Sequence, residues 1–168
     1  MLEQIANWPF SVWIRESTDI YAYTLILTLH AIGLATVVGI STVIGLRLLG
    51  VGAGIPLSLA NRFFKVLYIG FWINAISGLM LFIAEPVKMV EMPAFWAKLF
   101  FILCGMIVAN RINKGVFGDA QVMASNVPNE RARKLAWASL TCWYLALIVG
   151  RLTGYPEMVG QMLKAVGL

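Results

Sequence analysis

Four long runs of apolar residues, separated by short segments that hold most of the charges, dominate this chain of 168 residues. The runs extend over Ile20 to Leu49, Phe64 to Ala84, Phe95 to Asn110 and Leu135 to Leu152. A helix needs about 20 apolar residues to cross the hydrocarbon core of a bilayer. Only 12% of the residues are charged, whereas a soluble domain has roughly a quarter. The sequence therefore predicts an all-α fold, an integral membrane four-helix bundle that forms a single domain over residues 1–168.

Short segments flank the four predicted spans. The segment from Ile5 to Ile14 contains two tryptophans, which predicts an interfacial lead-in at the headgroup boundary. The tail after Tyr155 is too short and too interrupted to span again. Lysine and arginine are concentrated in the loops between spans one and two and between spans three and four, so the positive-inside rule places both termini outside. Because the basic residues flank apolar runs, the net charge of +5 indicates contact with the lipid bilayer rather than with nucleic acid.

The single histidine of the chain, His30, lies about ten residues into the first predicted span. Imidazole is costly to bury in hydrocarbon without a partner, so a histidine at this position is by default a candidate functional residue. Imidazole is also the commonest protein ligand for a metal or a haem iron. We therefore predict that His30 is a metal ligand, with haem b as the cofactor.

Helical rise places three further side chains at a similar depth. At about 1.5 Å per residue from the basic ends, His30 and Arg151 lie roughly 25 Å, Met80 roughly 22 Å and Lys98 roughly 20 Å along their spans. A haem needs an axial donor, an apolar slot and cations near its propionates. In this hypothesis Lys98 and Arg151 lie near the propionates, and Met80 is a second donor unless the sixth position is open or filled by another chain. Gly33, on the same helix face as His30, would let the flat ring approach the backbone.

Each of these residues also has a simpler explanation. His30 can be hydrogen-bonded to a neighbouring helix, and Asn74 is another residue able to bond across helices, to Asn110 or Ser77. Lys98, like Arg151, lies near a helix end, where snorkelling to the interface explains a cation. Glycines such as Gly33 and methionines such as Met80 are commonly packing residues.

Three function classes follow from these alternatives. The first is a haem protein with a redox or electron-transfer role near the outer face. The second is a non-catalytic accessory subunit of a larger membrane complex, and the third is a copper-handling or transport protein. The sequence does not assign an enzymatic activity, because no nucleophile–base pair or carboxylate dyad meets the usual tests. Stripes of small residues permit a homo-oligomer, in which the histidine of a second copy would supply the missing iron ligand.

Two stretches carry a resemblance to a known family. The first is the histidine of His30-Ala-Ile-Gly33, followed by spaced glycines and ending in Arg47-Leu-Leu-Gly50, and the second is Pro93-Ala-Phe-Trp-Ala-Lys98. Together they resemble a family of small bacterial four-helix membrane proteins classed as a domain of unknown function. The resemblance covers most of the chain and implies a multi-pass protein of the bacterial inner membrane.

More distantly, the layout is similar to the cytochrome-like membrane protoporphyrinogen oxidases and to the CopD-type copper-resistance membrane proteins. In those oxidases a first-helix histidine and a lysine that follows a tryptophan are functional, with haem b implicated. The residues in these positions here are His30 and Lys98. The resemblance thus implies a role for both residues at a haem. The oxidases carry further histidines, which this chain lacks.

Overall fold

Four long helices dominate the computed structural model, which describes residues 1–155 and Gly160. They are α3 (Tyr23–Leu48), α4 (Leu57–Ala84), α6 (Pro93–Gly115) and α8 (Glu130–Leu152). Each is long and apolar enough to cross a membrane, and the described residues contain helices but no strand. The all-α fold, the helical bundle and the multi-pass membrane character predicted from the sequence are thereby confirmed.

Three of the four long helices extend beyond the apolar runs that predicted them, whereas α3 begins and ends slightly inside its run. α4 begins at Leu57 instead of Phe64, α8 begins at Glu130 instead of Leu135, and α6 continues past its predicted end. Hydropathy marks only the part of a helix that lies in hydrocarbon, whereas backbone hydrogen bonds continue into the polar boundary when the free amides of the first turn find partners. At α8 the Asn129 side chain is such a partner, because it accepts a backbone N–H of the first turn.

Close helix contacts hold the bundle together. α3 packs along both α4 and α8, and α8 packs along α6. Two of these contacts depend on glycine: a Cβ on Gly33 would lie 2.6 Å from the backbone nitrogen of Asn74, and a Cβ on Gly105 would lie 2.9 Å from the ring of Trp143. Lipid tails are as apolar as leucine, so membrane helices associate largely through such close van der Waals packing.

The end of the bundle with the two basic loops is tied together by a buried arginine. Arg47 is only 3% exposed, and its guanidinium donates to the carbonyl oxygens of Ile55 at 2.6 Å and Asn126 at 3.1 Å. The Asn126 side chain in turn accepts from the backbone N–H of Leu57 at 2.8 Å. These bonds fix the loop before α4 to the loop that follows α7 (Ala120–Ser125).

Three short helices cover the opposite end of the bundle: α1 (Leu2–Ala6), α2 (Pro9–Glu16) and α5 (Pro86–Glu91). Ile14 of α2 is fully buried in an apolar cluster with Ile26 of α3 and Ala84 of α4. The N-terminal segment predicted at the interface thus consists of two short helices, of which α2 packs on the bundle. The outside position of both termini stays a prediction, and the tail that follows Tyr155 lies largely outside the described residues.

Candidate functional site

His30 is held by α4 at the closest part of the α3–α4 contact. Its Nδ1 lies 3.0 Å from the carbonyl oxygen of Asn74 and 3.2 Å from Oγ of Ser77. The amide of Asn74 donates from Nδ2 to the His30 carbonyl oxygen at 2.8 Å. Nδ2 of Asn74 also lies 3.3 Å from Nδ1, but the carbonyl contact is shorter and a carbonyl oxygen can only accept, so we assign the ring proton to Nδ1. Nε2 then carries the lone pair of the neutral ring.

The ring of His30 also requires a glycine on α4. A Cβ on Gly78 would lie 3.0 Å from Cε1 of the ring, so a larger residue would push the imidazole away from its hydrogen-bond partners. Asn74, Ser77 and Gly78 are spaced three and four residues apart and therefore share one face of α4. This face presents an amide and a hydroxyl to the imidazole, and Gly78 leaves room for the ring.

Lys98 reaches the same ring from α6. Its Nζ lies 3.2 Å from Nε2 of His30, and its aliphatic stem passes Gly150 of α8, where a Cβ would lie 3.2 Å from Cδ of Lys98. The side chain is half-buried and runs into the bundle, whereas snorkelling would direct it toward the interface. The lysine and histidine found separately in the sequence are thus in direct contact.

His30 and Lys98 are two nitrogen bases, and no ion pair of the described residues joins either of them to a carboxylate. The ion pairs of the described residues do not include Lys98, and its hydrogen-bond partner there is the neutral imidazole. In the described part of the chain, no group of three histidine, cysteine or acidic side chains is placed to hold a metal ion. A protonated Lys98 therefore has a lone-pair partner inside the bundle but no opposite charge.

Met80 and Arg151 occupy other surroundings. Met80 packs on the apolar cluster where α2 meets the bundle. Arg151 is exposed, donates to the hydroxyl of Tyr155 at 3.3 Å and lies over the ring of that residue, 5.5 Å from its centroid. Among the described residues neither forms a hydrogen bond with His30 or Lys98. The hydrogen-bonded group around His30 in the described part of the chain thus contains Lys98 but neither Met80 nor Arg151.

Gly33 lies one turn from His30, as the sequence predicts, but the backbone of Asn74 takes up the space beside it. Because Gly33 has no side chain, α4 can approach α3 closely at this position. A flat ring could use the same space only by displacing α4. Asn74 does bond across helices, to His30 rather than to Asn110, which instead accepts from the hydroxyl of Tyr68 at 2.6 Å. Ser77, the other partner expected for Asn74, lies on the same helix and donates to the Asn74 carbonyl oxygen at 3.2 Å.

Comparisons with models of protein families, with curated proteins and with solved structures found no match in any of the three. The resemblance to the bacterial four-helix family and to the haem-linked oxidases stays a prediction.

Proposed function

We propose that this protein is a membrane-embedded haem b protein, in which His30 ligates the iron and the bundle serves a redox or electron-transfer role near the outer face of a bacterial inner membrane. The observation that carries the proposal is the anchored ring of His30, whose Nδ1 is bound to the Asn74 carbonyl at 3.0 Å. Histidines that bind metals almost always donate their other ring N–H to a carbonyl or carboxylate oxygen, which fixes the tautomer and the orientation of the ring. His30 meets this requirement within the hydrophobic part of α3.

Of the residues that the structure describes, His30 would hold the iron of a haem, through Nε2. A bond between a metal and an imidazole nitrogen is about 2 Å long, and Nζ of Lys98 lies 3.2 Å from the same nitrogen. Nε2 could hold an iron only if Lys98 turned away, and the flexible four-carbon stem of the lysine permits this movement. The haem would supply one-electron chemistry. In our proposal His30 would hold and orient the haem, and Lys98 would offer a positive charge to a propionate.

Helix adhesion is the second candidate, because the mutual bonds of His30 and Asn74 join α3 to α4 without any ligand. Such bonds are a recognised source of stability between membrane helices. This role explains Nδ1 and the backbone of His30 and lets Lys98 join α6 to α3 through its contact with Nε2, but it leaves the charge of a protonated Lys98 unpaired. A protonated Lys98 would have no carboxylate partner among the ion pairs of the described residues, and an uncompensated cation is costly in an apolar bundle. A ligand with anionic groups would offset that cost, which favours haem over adhesion alone.

Absorption spectroscopy of the purified protein in mild detergent, after haemin is added at equimolar concentration and the unbound haemin is removed by gel filtration, tests the proposal. We expect a Soret band in the wild type and its loss in His30→Ala. We also expect free imidazole to restore the band in that variant, because a small ligand can occupy the vacated axial position. Lys98→Met serves as the matched variant and should keep an imidazole-ligated spectrum, since it removes the neighbour and leaves the ligand.

Three results would contradict this assignment. The first is a wild-type protein that stays colourless with haemin, the second an unchanged spectrum in His30→Ala, and the third a Soret band lost in Lys98→Met but kept in His30→Ala. Circular dichroism of each variant separates loss of the ligand from loss of the fold. A folded, colourless wild type whose stability falls in His30→Ala would assign the residue to helix adhesion.

A further inference from the structure

An open cavity with a strongly basic lining lies between the last turns of α6 and the first turn of α8. Its volume is about 430 Å³. Three cationic side chains, one amide, one aliphatic side chain and one glycine form the lining: Arg111, Lys114, Arg131, Asn110, Ile107 and Gly115. No carboxylate is among them. The cavity is far from His30. His30 lies in the first half of α3, whereas the cavity lies at the end of α6 and the start of α8.

The local packing keeps the positive charges of the cavity uncompensated. A Cβ on Gly115 would lie 3.3 Å from Nη2 of Arg131, so the glycine lets the guanidinium approach the end of α6. The nearby acid Glu130 is bound to Lys134 at 2.8 Å. In the described part of the chain, the ion pairs do not include the three cations of the lining. An anion would therefore find several charged donors that no acid of the described chain engages.

The face of α6 that leads to the cavity is apolar and exposed. Leu103, Ile107 and Arg111 are spaced four residues apart and so lie one above the other on this helix. Leu103 is 61% exposed and Ile107 is 44% exposed, on a helix apolar enough to cross a membrane. An apolar strip on α6 is thus followed along the helix by cations. A phospholipid has the same arrangement, because its apolar acyl chain is followed by its charged phosphate.

We propose that this cavity binds the headgroup phosphate of an anionic phospholipid, whose acyl chain lies along Leu103 and Ile107. A soluble phosphate would use the cations but not the apolar strip. A zwitterionic lipid would bring its own cation against the arginines, so a headgroup with net negative charge fits better. Asn110 adds a donor, because its Oδ1 is taken by the hydroxyl of Tyr68 and its NH₂ group is left for the ligand.

Native mass spectrometry of the full-length protein in mild detergent tests this site. Dioleoylphosphatidylglycerol and dioleoylphosphatidylcholine are added at equal concentration, and we expect the wild type to retain the anionic lipid preferentially. Arg111→Gln and Arg131→Gln should each weaken its binding by about fivefold, the effect of one basic residue near a membrane surface. Arg131→Lys should keep most of the binding because it keeps the charge.

Arg133→Gln is the matched control, since Arg133 is an exposed arginine of the same helix that does not line the cavity. An equal loss of lipid in this control would overturn the proposal, because diffuse surface charge would then explain the binding. Equal retention of the two lipids would overturn it as well. A third arm adds inorganic phosphate in excess, and complete displacement of the lipid would assign the cavity to a soluble anion instead. Thermal unfolding of every variant checks that the bundle is intact.

Discussion

Replacing Gly33 by alanine tests the closest approach of α3 and α4. The added Cβ would lie 2.6 Å from the backbone nitrogen of Asn74 and 2.9 Å from its Cα, whereas ordinary van der Waals contact begins at 3.4 Å. The difference between 3.4 and 2.6 Å requires a shift of about 0.8 Å. Because the obstacle is the backbone of a helix, no side-chain rotation can relieve the contact. α4 must move away from α3.

The free energy of this change can be worked from its parts. Forcing an extra methyl group into a well-packed site costs about 1 to 3 kcal/mol. The shift also lengthens the hydrogen bonds between His30 and Asn74, which are 2.8 and 3.0 Å long, and thereby weakens them. A hydrogen bond between membrane helices contributes about 0.6 kcal/mol on average. The higher helix propensity of alanine returns about 1 kcal/mol. We expect Gly33→Ala to lower the free energy of unfolding by about 1 to 3 kcal/mol.

The assay is reversible unfolding in mixed detergent micelles, followed by the loss of helical circular dichroism. Gly39→Ala is the matched control: it lies on the same helix and no atom lies within 4 Å of its added Cβ. The control should be neutral or more stable by up to about 1 kcal/mol. Equal stabilities of Gly33→Ala and Gly39→Ala would refute the reasoning, because the two helices could not then meet at this glycine.

Two further predictions concern the basic end of the bundle and use the same unfolding assay. Asn126→Gly keeps a residue that tolerates the positive φ of 54° but removes the side-chain oxygen bound to Arg47 and to the Leu57 N–H. We expect the free energy of unfolding to fall by about 1 to 3 kcal/mol, because buried donors are left unsatisfied. Unchanged stability would contradict the role of Asn126 in joining the two loops. Asn129→Ala removes the N-cap of α8 and should lower stability by about 1 kcal/mol. Asn129→Asp should restore most of it, and an equal loss in both variants would argue against capping.

The membrane helices were predictable, but their ends were not. An apolar run indicates a helix because the bilayer allows no unpaired backbone groups, whatever the neighbouring helices are. The start of α8 at Glu130 depends instead on the cap formed by Asn129, and α4 begins at Leu57, whose N–H is bound by Asn126 far along the chain. The presence of a membrane helix is thus a local property of composition. The residue at which the helix begins depends on a hydrogen-bond partner, which for α4 is supplied only by folding.

The candidate site shows the same division. His30 was identifiable because it is a single imidazole in an apolar helix, and Lys98 because it follows a tryptophan at a similar depth. Met80 and Arg151 had comparable depth, yet they lie in other surroundings. Depth fixes only the position along a helix axis. The direction in which each side chain leaves its helix decides whether two of them meet.

The sequence by itself determined the number of membrane helices, their approximate positions and the residue types available for chemistry, because transfer from water to lipid depends on composition. Only the tertiary structure decided that Asn74 and Ser77 hold the ring of His30, that Lys98 faces its other nitrogen and that Gly33 admits α4. These helices are apolar on nearly every side, so hydrophobic patterning does not fix their rotation or their neighbours. Close contacts at glycines and hydrogen bonds between helices do.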